Sequence, residues 1–283
     1  MKKIYHGDTA LRRRGAFRVS ASPGFMLLAV LLNARPIIAE PTLAERLCSG
    51  FERIESLQCE IEKTSVAGGK TVRMVSRVDY RRPRHLHVSI TEPTERRVIM
   101  DGMTLYYHEA GAPYGFSRPI DDLAGPWADS ARNIPATPME HLLKLRARPE
   151  TPLDPGEDGA TRAGYAGKGR FAVLSADADG RLLRIAFYAS PAMEELTGEY
   201  RYADFVAAGP GCWIPRLHEG ALSLPGGESI RETRVVGNLR VNEPVSYTRF
   251  DASCFFSNVT FVADFRRTYE GSEAENREKQ DRD

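Results

Sequence analysis

From Val72 to His108 the chain alternates apolar and polar residues in short runs separated by turn signals. Val72, Met74, Val78 and Tyr80 fall on one side of an extended segment, with Arg73, Arg77 and Asp79 on the other. After Pro83 the pattern resumes with Leu86, Val88 and Ile90 opposite His85, His87 and Ser89. It returns in Met103, Leu105 and Tyr107 after Asp101-Gly102, a dipeptide suited to a tight hairpin. Adjacent strands with one apolar face predict a curved antiparallel sheet whose apolar side needs a cover, either a core helix or a hydrophobic ligand.

Elsewhere the period changes. Leu43, Leu47, Phe51 and Ile54 recur at helical spacing behind Thr42 and Glu45, a capping box, so a helix is predicted over 42–57. Strands over 58–66 and 71–80 join through Ala67-Gly-Gly-Lys70. Thr137-Pro138-Met139-Glu140 predicts another helix start, with Leu142, Leu143 and Leu145 following. A shorter helix over 121–131 carries Leu123 and Trp127, with Pro126 expected to interrupt it. Residues 149–168, rich in Pro, Gly, Asp and Glu, read as a loop. Strands are expected again over 170–176, 181–188, 197–206, 212–222, 229–241 and 259–265.

The ends have their own character. Residues 1–24 are basic and lead into the apolar run Phe25–Leu32, with Ala39 ahead of Glu40, the layout of a secretory signal peptide. An uncleaved anchor or a misplaced start codon is the alternative. The chain thus divides into a signal segment (1–39), one domain (40–267) and a charged tail (268–283) expected to be disordered. Residues 1–39 hold seven of the 39 basic and one of the 38 acidic residues, so the exported chain carries 32 against 37, a net charge of −5. Such a chain has no electrostatic reason to bind nucleic acid.

Export makes disulfides available to Cys48, Cys59, Cys212 and Cys254. Cys48–Cys59 and Cys212–Cys254 is the favoured pairing, each within one half of the chain; free buried thiols are the alternative. Chemistry is otherwise sparse. The familiar hydrolase, metalloprotease and nucleotide-loop signatures are missing. His85 and His87 make at most half of a metal site and read as two exposed histidines. Asp177 and Asp179 read as a hairpin turn rather than a calcium loop. Asp121-Asp122 and Glu194-Glu195 are adjacent pairs that aim at no shared centre. No catalytic residue, metal or cofactor is assigned.

The ordered elements Tyr80-Arg-Arg-Pro83, Leu86-His-Val88, Glu92-Pro93, Val98-Ile-Met-Asp-Gly102 and Thr104-Leu-Tyr-Tyr107, behind a helix, resemble the LolA-type lipoprotein-carrier superfamily of Gram-negative envelopes. The likeness is good over 42–147 and looser over 169–265. It implies an α+β fold: an unclosed antiparallel β-barrel, or half-barrel, with an N-terminal helix and a helical lid. It also implies a periplasmic protein without catalytic residues. Its cavity would shield the acyl chains of a lipoprotein or related lipid, between an inner-membrane donor complex and an outer-membrane acceptor. On this resemblance Arg82 is the arginine that closes the lid by hydrogen bonds to the lid helices, with Leu142 and Leu143 in that lid; Arg81 competes for the role. Leu86 is carried over as a cavity residue. Met74, Val78, Tyr80, Val88, Ile90, Leu105 and Tyr107 join it by alternation alone, and ordinary β core is the alternative for them. The superfamily also resembles periplasmic sensors that regulate a membrane partner, a second class to weigh. An enzyme acting on envelope glycans would need two converging carboxylates.

Overall fold

The computed structural model describes residues 40–156, 158–224 and 227–269. Residues 1–39, expected as a signal segment, and the tail beyond Tyr269 lie outside them. Helix α1 (Leu43–Phe51) starts as the capping box predicts: the Thr42 hydroxyl accepts from the Glu45 amide, and the Glu45 carboxylate accepts from the Thr42 amide. It ends at Phe51, short of 57, because the chain turns there to bury Ile54 and enter the first strand.

Fourteen strands among the described residues form one sheet: β1 (Ser56–Ala67), β2 (Lys70–Arg81), β3 (His85–Glu92), β4 (Arg96–Asp101), β5 (Thr104–Glu109), β6 (Gly115–Pro119), β7 (Glu150–Leu153), β8 (Thr161–Gly167), β9 (Arg170–Ala176), β10 (Leu182–Tyr188), β11 (Leu196–Gly209), β12 (Cys212–Ser223), β13 (Ser229–Val241) and β14 (Phe261–Val262). The order is β14-β6-β5-β4-β3-β2-β1-β13-β12-β11-β10-β9-β8-β7. Every pair is antiparallel except β14 with β6. The two end strands, β14 and β7, do not pair, so the sheet is an unclosed half-barrel. The β1–β13 ladder joins its two meanders, with Ile61 opposite Val236.

Between β6 and β7 the chain leaves the sheet. A 3-10 turn (Ile120–Asp122) leads to helix α2 (Pro126–Arg132) and helix α3 (Met139–Arg146). Pro126 opens α2 instead of interrupting a helix: Gly125, at φ 57°, turns the chain, and proline at the first helical position gives up an amide that has no partner there anyway. Thr137 packs inside with its hydroxyl donating to the Ile134 carbonyl. Glu140 pairs with Lys144 at 2.9 Å instead of closing a capping box.

Three further expectations change. Residues 149–168 are not a loop but hold β7 and β8. Their composition hides an alternation in which Ala163 and Tyr165 point inward and Gly164 lies under the Phe171 ring. The strand expected over 259–265 shrinks to Phe261–Val262, followed by a 3-10 turn (Phe265–Tyr269). The cysteines are free thiols, so neither Cys48–Cys59 nor Cys212–Cys254 forms. Cys48, Cys59 and Cys212 are buried among apolar side chains, while Cys254 is exposed in a separate 3-10 turn. Burial pushes the Cys59 thiol up to about 12 and those of Cys48 and Cys212 to about 11, which keeps them protonated and unreactive.

Candidate functional site: the inner face of the half-barrel

The helices cover one face of the sheet, here the inner face. Register places Cys59 opposite Val78, Val78 opposite Val88, Val88 opposite Val98 and Val98 opposite Tyr107. A second row runs Leu57, Tyr80, Leu86, Met100, Leu105 by the same ladders. Because side chains alternate faces, two rows of matched register make a continuous apolar surface across five strands.

Of the eight residues expected on the apolar face, Val78, Tyr80, Leu86, Leu105 and Tyr107 belong to the buried apolar cluster and Val88 packs against it. Met74, Val88 and Ile90 are half-buried. From α3, Met139, Leu142 and Leu145 are buried in the same cluster as Val78 and Leu105, whereas α2 buries none of its residues. Trp127 of α2 packs on Tyr107 and Phe116, with ring centroids 5.6 and 5.7 Å apart. Leu143 is half-buried at the edge of α3.

Arg82 stands beside this roof, but its bonds do not run to the lid helices. Its Nε donates to the Ile54 carbonyl at 3.2 Å, its amide donates to the Glu55 carbonyl at 2.8 Å, and the guanidinium lies 3.8 Å from the Glu55 carboxylate. The side chain therefore ties β2 to the α1–β1 connection. Together with Arg84, Ile134, Met139 and Leu143 it also lines a cleft of about 410 Å³ between the sheet and the lid. Arg81 points elsewhere: it donates to the Val245 carbonyl and stacks on Tyr247 at 3.8 Å.

The inner face is not apolar throughout. On β1, β12 and β13 the Lys63 ammonium meets Glu232 at 2.5 Å, Glu232 also holds Arg234 at 3.3 Å, and Arg234 pairs in register with His218. Tyr200 rests on Gly220, where an added Cβ would approach the ring to 2.8 Å, and His141 from α3 stacks on Tyr200 at 4.4 Å. Burial holds the His218 imidazole down at about 3 and pushes the Tyr202 hydroxyl up. The enclosed space here is about 30 Å³, near the size of one water molecule. Alternation within β13 hints at this polar band, but only the pairing of β1 with β13 assembles it.

On the outer face, His87 is buried and His85 half-buried, contrary to the expected exposure. Phe255 covers His87 at 4.5 Å; Tyr247 and Phe250 cover His85 at 5.5 and 5.3 Å. The segment after β13 supplies this cover, which no local pattern announced. Among the described residues no group of three or more His, Cys, Asp or Glu is placed to hold a metal ion. No described helix is long and apolar enough to cross a membrane.

No family model and no curated protein matches the chain. Among solved structures it is similar to a LolA superfamily protein from Nitrosomonas europaea, at 14% identity over 75% of this chain and 97% of that one, with a TM-score of 0.49. It is similar to a DUF1329 family protein from Desulfovibrio piger at 15% identity, over 75% of this chain and 95% of that one, with a TM-score of 0.49. It is also similar to an outer membrane lipoprotein-sorting protein domain from Vibrio parahaemolyticus at 12% identity, over 75% of this chain and 97% of that one, with a TM-score of 0.48.

Proposed function

We propose that this chain is a non-catalytic periplasmic carrier or binding protein that takes the acyl chains of lipoproteins or related lipids onto the inner face of its half-barrel. The observation that carries this reading is the mismatch between face and roof. Five strands present matched apolar rows, yet the helix lying over Tyr107 and Phe116 buries none of its own residues. The α2 part of the roof, so loosely fastened over an apolar face, opens at little cost. Each acyl CH₂ taken from water returns about 0.8 kcal/mol, so a long chain supplies the energy to move it.

In this reading Met74, Val78, Tyr80, Leu86, Val88, Ile90, Leu105 and Tyr107 form the acyl surface, with Leu142 and Leu143 as the lid side. Arg82 holds the hinge where β2, α1 and the lid meet. The charged band of Lys63, Glu232 and Arg234 confines the chain to the β1–β6 side, since stripping water from those groups for an apolar partner is unfavourable. Cargo would arrive from an inner-membrane donor complex and leave to an outer-membrane acceptor. A second reading, a regulatory or sensor module that binds a membrane-protein partner, draws support from the filled state of the inner face, where Leu105 and Val78 are 1% and 2% exposed.

Native mass spectrometry of the protein exported in a Gram-negative host, followed by solvent extraction, tests the carrier reading. A stoichiometric acylated adduct that disappears in Val88→Glu supports it, and the mass of the exported chain reports whether residues 1–39 are removed. A ligand-free protein that also fails to take up added acyl chains in solution would overturn it in favour of the sensor module.

A further inference from the structure

The chain after β13 follows an unusual course. Asn242, at φ 58°, turns it back, and the Ser56 hydroxyl donates to the Glu243 carbonyl at 2.6 Å. It then crosses the outer face, laying Phe255 on His87 and Phe256 on His108, the latter at 6.3 Å. At the edge of the sheet Phe261 and Val262 pair in parallel with Gly115 and Phe116. Gly115 is needed there, because an added Cβ would lie 2.5 Å from the Phe261 ring. Past that edge the chain passes to the inner face. Phe265 enters the aromatic cluster with ring centroids 5.4 Å from Tyr107, 5.6 Å from Trp127 and 5.7 Å from Phe116.

We infer that Phe261–Thr268 is a displaceable plug. Phe265 occupies the part of the inner face that an acyl chain takes, so loading expels the plug and exposes the C-terminal segment. This rests on the carrier reading and adds its regulation. Two features make the segment an occupant rather than a fixed part of the core. Its sheet pairing is two residues long, the shortest of the fourteen strands. Its other turn is a 3-10 helix in which exposed Asp264 precedes, and exposed Arg266 and Arg267 follow, the half-buried Phe265. Phe265 touches the lid through Trp127 and the sheet through Tyr107, so a chain lying between α2 and the sheet competes with it for that space. A loaded protein would thereby differ from an empty one on its outside, where a donor or acceptor can read the difference.

The test uses the exported protein, with cis-parinaric acid as the acyl probe. Its affinity for wild type is compared with that for Phe265→Ala, and tryptic cleavage after Arg266 and Arg267 of wild type is timed with and without the probe. The plug predicts binding on the order of tenfold tighter in Phe265→Ala, since the competitor no longer holds the site. It also predicts cleavage several-fold faster in loaded wild type. Equal affinity with unchanged cleavage would overturn the plug and leave the acyl surface standing. No binding by either protein would overturn both. Should Phe265→Ala fail to fold, the cleavage of wild type decides by itself.

Discussion

The Tyr165 hydroxyl donates to the Glu150 carboxylate and at the same time accepts the Ala44 amide at 3.0 Å. Glu150 also accepts the Leu43 amide, at 2.6 Å. Two side chains from β7 and β8, more than a hundred residues downstream, thus satisfy free amides in the first turn of α1. A carboxylate at this end also complements the partial positive charge there.

Replacing Tyr165 with Phe leaves the Ala44 amide without an acceptor in a buried position and is expected to cost about 1–3 kcal/mol. Urea unfolding followed by circular dichroism measures it. A loss within a few tenths of a kcal/mol would mean that water replaces the hydroxyl and that α1 is not anchored through β8.

His218 makes stability fall in acid. Its folded value is held down to about 3 by burial against an ordinary 6.5, and Arg234 opposes its charging further. Above about pH 6.5 both folded and unfolded chains hold it neutral, and its contribution is complete. As pH falls from there toward 3 only the unfolded chain takes up the proton. Stability should drop by at most about 1.4 kcal/mol per pH unit from this group. His141 is lowered by burial too and acts in the same direction. Urea midpoints between pH 7 and pH 4 should decline less steeply in His218→Gln than in wild type; parallel declines would place the acid sensitivity elsewhere.

Gly164→Ala tests the register of a segment whose composition suggested a loop. The added methyl would lie 2.3 Å from the buried Phe171 ring, which must shift to admit it. The expected cost is about 1–3 kcal/mol, with recovery when Phe171→Leu is added. If Gly164→Ala has wild-type stability, β8 and β9 do not pair in this register.

Arg82→Leu separates fold from gating. Its side chain is 32% exposed and its ion pair with Glu55 is long, so stability should change by no more than about 1 kcal/mol. The rate at which a bound acyl probe is released should rise several-fold, because the tie between β2 and the α1–β1 connection borders the cleft under the lid. Stopped-flow displacement measures it. An unchanged release rate in a folded variant would remove Arg82 from the gating.

Alternation between Val72 and Tyr107 was enough to place β2, β3 and β5 and to give them one apolar face, because a strand's side chains switch sides at every residue wherever the strand goes. The capping box at Thr42 located the start of α1 for the same local reason. Residues 149–168 escaped because glycine, proline, aspartate and glutamate together make up most of their composition, while the alternation that makes β8 a strand is only Ala163 and Tyr165, and its meaning depends on Phe171 arriving from β9. The burial of His87, the polar band of Lys63, Glu232 and Arg234, and the entry of Phe265 beside Trp127 each join residues far apart in the chain. Contacts of that kind are set by how the sheet curls and where the last segment crosses it, and no local period carries that information. The sequence by itself determined which face of the strands is apolar; only the tertiary structure decided what covers it.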